Sequence, residues 1–258
     1  QLDQLIDSKR TTMIALRRQL HQYPEPSGEE QETSRYLSQQ LQQAGFQVRL
    51  GHNQCGVIAD ADYLTESVTA TQRGRIALRA DIDALRIHDA KEVQYRSQHD
   101  GIMHACGHDA HTTIVFSAIS ALQQMHEQQQ LPWPVQVRAI FQPAEEIAQG
   151  ARQMIQEGAL EDVAAILATH MDPTRETGRI GLKSGTLTAM CDTITVTVHG
   201  RAGHGARPHE ARDPIAAAAQ FLTALYQSVP TQPGDDDTVV ASFGEFQGGQ
   251  MPMLFRTR

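Results

Sequence analysis

The feature that most narrows the fold is an alternation. Strand-like and helix-like segments take turns from residue 47 to residue 170, and polar residues fall just past the ends of three strands. Residues 47–50 and 56–61 read as strands, and the polar stretch 62–73 as a loop or hairpin. Residues 75–80 (RIALRA) form a strand ending in Asp81 and Asp83, and 110–126 an apolar-faced helix. Residues 134–141 are a strand running into Glu145 and Glu146. A helix follows over 149–157, then a strand over 163–169 that ends at His170. This order specifies an α/β domain with a mostly parallel sheet flanked by helices. Ligands bind beyond the carboxyl ends of the strands in open sheets of this kind. Asp81/Asp83, Glu145/Glu146 and His170 all fall there.

Ahead of the sheet, residues 3–21 place apolar side chains near helical spacing until Pro24 and Pro26 stop them. In residues 26–30 (PSGEE), Ser27 is in place to cap the next helix, with Glu30 three residues on. That helix runs to Ala44, with Gly45 as its cap. From residue 185 the pattern changes. Residues 193–199 (TITVTVH) alternate as a half-exposed strand, a helix covers 212–228, an acidic loop 234–237, and a strand 238–243. The chain is therefore divided into an α/β domain, 1–184, and part of a smaller α+β domain, 185–258. No internal repeat is present.

The 258 residues suffice for one large domain or two smaller ones. A net charge of -8 argues against a nucleic-acid partner and gives no attraction to an anionic membrane. No apolar run approaches the ~20 residues that span a bilayer. The first residues are amphipathic and lack the apolar core of a signal peptide, and with no initial Met the native start is expected to have been removed. Three widely spaced cysteines, Cys55, Cys106 and Cys191, do not make a disulfide framework, so a reducing cytoplasm is expected.

The densest chemistry lies in MHACGHDAH (103–111). Cys106 and His108 can reach one metal from a tight loop, and thiolate with imidazole suits zinc. The alternative is a buried inert cysteine beside a helix-capping histidine. In Glu145-Glu146, one carboxylate could bind metal while the other serves as general base. The alternative is a solvated pair favoured by a helix dipole. His170 and Asp83 also read as a loop histidine and a turn residue. His204, in GHGARPH (203–209), is placed to donate to a developing oxyanion, or it belongs to a polar turn. No G-x-S-x-G elbow, H-E-x-x-H, P-loop, G-x-G-x-x-G or C-x-x-C is present.

Taken together, HQYPEPSGEE (21–30), LRADIDAL (78–85), MHACGHDAHTT (103–113), FQPAEE (141–146), ATHMDP (168–173) and HGRAGHGARPHEARDPI (199–215) resemble, in order, the M20 metallopeptidase family. The likeness is to its amidohydrolase branch, which holds hippurate hydrolases, N-acyl-amino-acid amidohydrolases and auxin-conjugate hydrolases. The resemblance implies a zinc-peptidase-like α/β domain carrying two divalent ions, Zn2+ or Mn2+. It also implies an inserted ferredoxin-like α+β domain that mediates homodimerisation. By position, Cys106, His108, Glu146 and His170 would be metal ligands and Glu145 the general base. Asp83 would orient a ligand, and Asp81 stands where other branches place a metal-binding histidine. His204 would polarise the substrate carbonyl in the partner subunit's site. His104, His111 and His209 are expected to be structural or peripheral.

The resemblance implies hydrolysis of N-acyl amino acids to a carboxylic acid and a free amino acid. An M20 dipeptidase or deacetylase is the alternative within the family. The resemblance further implies a chain well beyond 258 residues that returns to the catalytic domain for a last metal-binding histidine. The chain is accordingly expected to be a fragment or a truncated product with an incomplete second domain. An inactive binder of metal or ligand is a further alternative.

Overall fold

The computed structural model describes residues 2–63, 74–185, 187, 191–229 and 239–249. Of the expected polar stretch 62–73, only Asp62 and Tyr63 are among them. The acidic loop 234–237 and the tail 251–258 lie outside the described residues. The chain divides into two compact units, Gln1–Arg179 and Ile180–Arg258.

The first unit opens with α1 (Leu2–Gln22) and α2 (Gln31–Gln43). Leu16 and Leu20 of α1, and Leu37 and Leu41 of α2, lie four apart and are buried, as an amphipathic helix face requires. Gly45 follows α2 at φ +89°, a conformation open to glycine without steric cost. Five strands then form one sheet: β1 (Gln47–Leu50), β2 (Val57–Tyr63), β3 (Arg75–Asp81), β4 (Val135–Gln142) and β5 (Val163–Ala168). Their order is β1-β2-β4-β3-β5. Helix α3 (His108–Glu127) lies between β3 and β4 in the chain, and α4 (Gly150–Gln156) between β4 and β5.

The expected mostly parallel sheet is corrected at one side. β3 pairs in parallel with β4 and with β5, whereas β1–β2 and β2–β4 are antiparallel. For β1–β2 the cause is local: residues 51–56 are too short a connection for a parallel crossover, so β2 must return alongside β1.

Residues alternate between the two faces of the sheet. Ala59 and Ala61 of β2, with Val137, Ala139 and Phe141 of β4, join Leu37, Leu41, Val115 and Ile119 in the larger core. Ile58, Ala77 and Ile140 point the other way, onto Met154 and Ala159. β4 lies between β2 and β3 and is buried from its second residue onward, while β5 at the edge is exposed along most of its length.

In the second unit, α5 (Pro214–Ser228) begins as its sequence dictates. The Asp213 carboxylate accepts from Ile215 N at 2.8 Å and Ala216 N at 3.2 Å, and Pro214 occupies the first helical turn. The strands expected over 193–199 and 238–243 are not formed among the described residues. Residues 193–199 alternate in character but have no backbone hydrogen-bond partner there, and a strand exists only through its ladder. Among the described residues no helix is long and apolar enough to cross a membrane.

Candidate metal centre

Parallel pairing brings the carboxyl ends of three strands side by side. Asp81 of β3 is in register with Gln142 of β4, and Arg79 of β3 with Ala168 of β5. The residues just beyond, Asp83, Glu145, Glu146 and His170, therefore share one edge of the sheet with the start of α3. Gly107 makes that start possible. It sits at φ +85°, and a Cβ there would lie 3.1 Å from the side chain of Met171, in the loop after β5.

His108 is buried at the head of α3. Its Nδ1 donates to the backbone oxygen of Asp83 at 2.8 Å and lies 3.1 Å from Asp83 Oδ1. Oxygens that can only accept fix a proton on Nδ1, so the neutral ring presents its lone pair at Nε2. Nε2 is buried without a hydrogen-bond partner among the described residues, as is Glu146 Oε1 at 3.6 Å from it. Cys106 Sγ lies 3.5 Å from His170 Nε2. The His170 Nδ1 donates to Met171 O at 2.7 Å, which turns its own Nε2 lone pair toward the thiol. Ligand atoms of Cys106, His108 and Glu146 lie within 4.8 Å of one another. Orphaned buried acceptors are costly unless something fills the space between them. Two such atoms with a thiol and a second imidazole fit a divalent cation, and this donor set suits zinc and related first-row ions.

Asp81, His108 and His111 also lie within 4.8 Å of one another. There the donor atoms of Asp81 and His111 are already used. Asp81 Oδ1 is 2.6 Å from His111 Nδ1, and Asp81 Oδ2 accepts from Arg79 at 2.8 Å. The His111 Nε2 accepts from Met171 N at 2.8 Å. Asp81 and His111 thus tie the ends of β3 and β5 together beside the site. Of the two roles expected for His111, structural or peripheral, these bonds give it the structural one, through a contact that crosses from α3 to the loop after β5.

Asp83 binds three segments. Its Oδ2 accepts from Ser27 Oγ at 2.7 Å and from Glu146 N at 3.0 Å, and its Oδ1 faces His108. The expected cap by Ser27 is thereby corrected. The N-cap of α2 is Glu30, without a side-chain cap bond, because the Ser27 hydroxyl is committed to Asp83. Glu145 is half-buried, with Oε2 at 3.9 Å from His108 Nε2. His204 is exposed in the second unit, where its Nδ1 accepts from Ala206 N at 3.2 Å.

The electrostatics favour a cation. Burial pushes His108 down, but the Asp83 bond and the surrounding carboxylates outweigh it and raise its pKa. Burial, then Glu146, raises Glu145. Burial, then the charge of Glu146, pushes the Cys106 thiol up to about 12. Burial opposes ionisation of Asp81, yet His111, His108 and Arg79 hold it down at about 2.

Residues 77–255 match the sequence profile of peptidase family M20/M25/M40. The chain belongs to this family. Within it, the chain is 38% identical over 237 residues to an N-acetyl-L-cysteine deacetylase of Bacillus subtilis, covering 92% of this chain and 55% of that protein. It is 33% identical over 251 residues to an N-acyl-L-amino acid amidohydrolase of Geobacillus stearothermophilus, covering 96% and 65%. A Bacillus subtilis structure described as a dinuclear metal binding peptidase from the M20 family superposes with a TM-score of 0.64 at 35% identity. That match covers 86% of this chain and 57% of the other. The chain thus spans about three-fifths of the length of these two relatives.

Proposed function

We propose that the protein is a metal-dependent amidohydrolase that cleaves N-acyl amino acids to a carboxylic acid and a free amino acid. The observation that carries this reading is the pair of orphaned buried atoms, His108 Nε2 and Glu146 Oε1, 3.6 Å apart beside the carboxylate of Glu145. Cys106, His108, Glu146 and His170 would hold two divalent ions, Zn2+ or Mn2+. When bound, such ions acidify water and polarise a carbonyl.

Glu145 would take the proton of the attacking water and return it to the leaving nitrogen. Its raised pKa suits a group that must both accept and release. Asp83 keeps the imidazole of His108 in the tautomer that presents Nε2. His204 would donate to the oxyanion from a partner subunit in a homodimer formed through the second domain, residues 185–258. Loss of such a donor costs roughly 10²–10³ in kcat. Free Cys55, Cys106 and Cys191 accord with a cytoplasmic setting.

The test is amino-acid release from N-acetyl-L-cysteine, N-benzoylglycine and other N-acyl amino acids by the intact native protein with added Zn2+ or Mn2+. Glu145→Gln is the control. Metal-dependent release is expected, reduced in the variant by about 10²-fold or more, with metal retained. Near-normal turnover by Glu145→Gln would remove Glu145 as the base. Metal binding without release from any substrate would favour a non-hydrolytic binder, and release from dipeptides alone would favour a dipeptidase.

A further inference from the structure

Glu145 and Glu146 sit on a turn whose geometry the chain does not adopt freely. Ala144, immediately before them, has φ +49°, in the left-handed region that side chains other than glycine rarely occupy. Such a conformation persists where its surroundings over-determine it. Three features do so here. The Ala144 carbonyl accepts from Gln149 N and Gly150 N, both at 3.2 Å. Pro143 is cradled between two glycines: a Cβ on Gly56 would lie 2.8 Å from Pro143 Cδ, and one on Gly150 would lie 1.6 Å from Pro143 O. The third feature comes from the far end of the chain. The Ala144 N–H donates to Glu30 Oε1 at 2.7 Å, across 114 residues of sequence.

Glu30 is fully buried. The same Oε1 also accepts from Gly28 N at 2.9 Å, and Oε2 has no hydrogen-bond partner among the described residues. A buried carboxylate is costly, and burial raises the pKa of this one. Its place at the head of α2 does not account for it, since its side chain makes no cap bond to the helix. Its contact with Ala144 leads directly to Glu145 and Glu146.

We propose that Glu30 is a positioning residue for the metal centre: its buried carboxylate holds Ala144 in the left-handed turn that aims Glu145 and Glu146 into the site. The inference rests on the metal-centre reading above. Ser27 and Glu30 then have one purpose. The segment 26–30 reaches across to Asp83 through Ser27 and to the 143–146 turn through Glu30, and so aligns two sides of the site from outside it.

The experiment measures Zn2+ affinity by competition with a chromophoric chelator in the metal-free intact protein. Thermal unfolding is followed in parallel. Outer partners of metal ligands, when removed, cost about 10–100-fold in affinity, and Glu30→Ala is expected to fall in that range. Glu30→Gln keeps an oxygen for both N–H groups and is expected to stay within about 3-fold of the wild type. Adding Ala144→Gly to Glu30→Ala is expected to recover a large part of the loss, because glycine adopts positive φ without a restraint. A merely structural role would lower the unfolding temperature without that recovery.

Should Glu30→Ala not fold, Glu30→Asp decides. It retains the charge, draws the carboxyl back by one methylene, and should show the same loss and the same rescue. Wild-type affinity in Glu30→Ala or Glu30→Asp, or a loss that Ala144→Gly does not relieve, overturns the proposal and leaves the metal centre standing. Failure of the wild type to bind Zn2+ overturns both.

Discussion

Asp89 shows how a buried charge makes the stability of this fold depend on pH. Its carboxylate is almost fully enclosed and accepts from Ser97 N at 3.0 Å, Lys91 N at 3.1 Å and Lys91 Nζ at 2.9 Å, with His21 Nε2 at 3.4 Å. Burial opposes ionisation, but these bonds outweigh it and hold Asp89 well below the ordinary carboxylate range. A depressed folded-state value means that the stabilisation is fully present above the unfolded pKa of about 3.9. It is lost as pH falls through the folded value. Asp89→Asn should therefore be less stable near neutrality by about 1–3 kcal/mol. It should also lose less of its remaining stability than the wild type between roughly pH 5 and pH 3. Thermal unfolding across that range measures both, and parallel pH profiles for the two proteins would refute the assignment. The proposed metal ligands come from the resemblance, since residue type and spacing alone left each of them a second reading. Cys106, His108, Glu146 and His170 are residue types that bind metal, placed at a helix start and two strand ends. Ser27 was misread because cap chemistry is judged from neighbours in sequence, whereas its hydroxyl is spent on Asp83, 56 residues away.

At the scale of elements, Arg138 binds pieces of the sheet that the chain would otherwise leave loose. From the middle of β4 its Nε and Nη2 meet Asp60 of β2 at 2.7 and 2.8 Å. Its Nη1 donates to the carbonyls of Gly158, Ala159 and Glu161 at 3.1, 3.0 and 3.0 Å. Those carbonyls belong to the connection from α4 to β5, the strand that leads to His170. Breaking a buried ion pair by removing one partner costs about 3–5 kcal/mol, because the other charge is left uncompensated. Arg138→Met is expected to lose that much in chemical denaturation. Arg138→Met with Asp60→Leu should recover part of it, and equal stabilities for the single and double variants would show that the pair is not coupled. An arginine inside an apolar strand gives no sequence signal of this clamp, since its partners lie before and after it in the chain. By contrast, α1, α2, α3 and the strands of the sheet could be read from apolar spacing, which is local. The antiparallel side of the sheet could not, nor could the lack of pairing of 193–199 among the described residues, because strand pairing is decided by partners that alternation does not name.

At the scale of the molecule, the proposed ligands matter because they come from different parts of the chain. Cys106 and His108 flank the start of α3, Glu146 follows β4 and His170 follows β5. An ion held by all four would join three connections of the first unit that are otherwise linked through the sheet and through Asp83 and His111. The unfolded chain cannot hold these donors in that geometry, so binding free energy becomes folding free energy. At a free Zn2+ concentration 100 times Kd, the gain is about 2.7 kcal/mol. For a protein of this size that raises the midpoint of thermal unfolding by several degrees, on the order of 5 °C or more. A chelator should reverse the shift. Cys106→Ser should shrink it, because a hydroxyl is a poor substitute for a thiolate. Cys191→Ser should leave it intact, since that thiol is exposed and is not among the four proposed ligands. A shift of equal size in Cys106→Ser would place the bound ion elsewhere. A shift abolished by Cys106→Ser and kept by Cys191→Ser would tie the stabilising ion to the edge of the sheet where β3, β4 and β5 end, independently of any substrate being turned over.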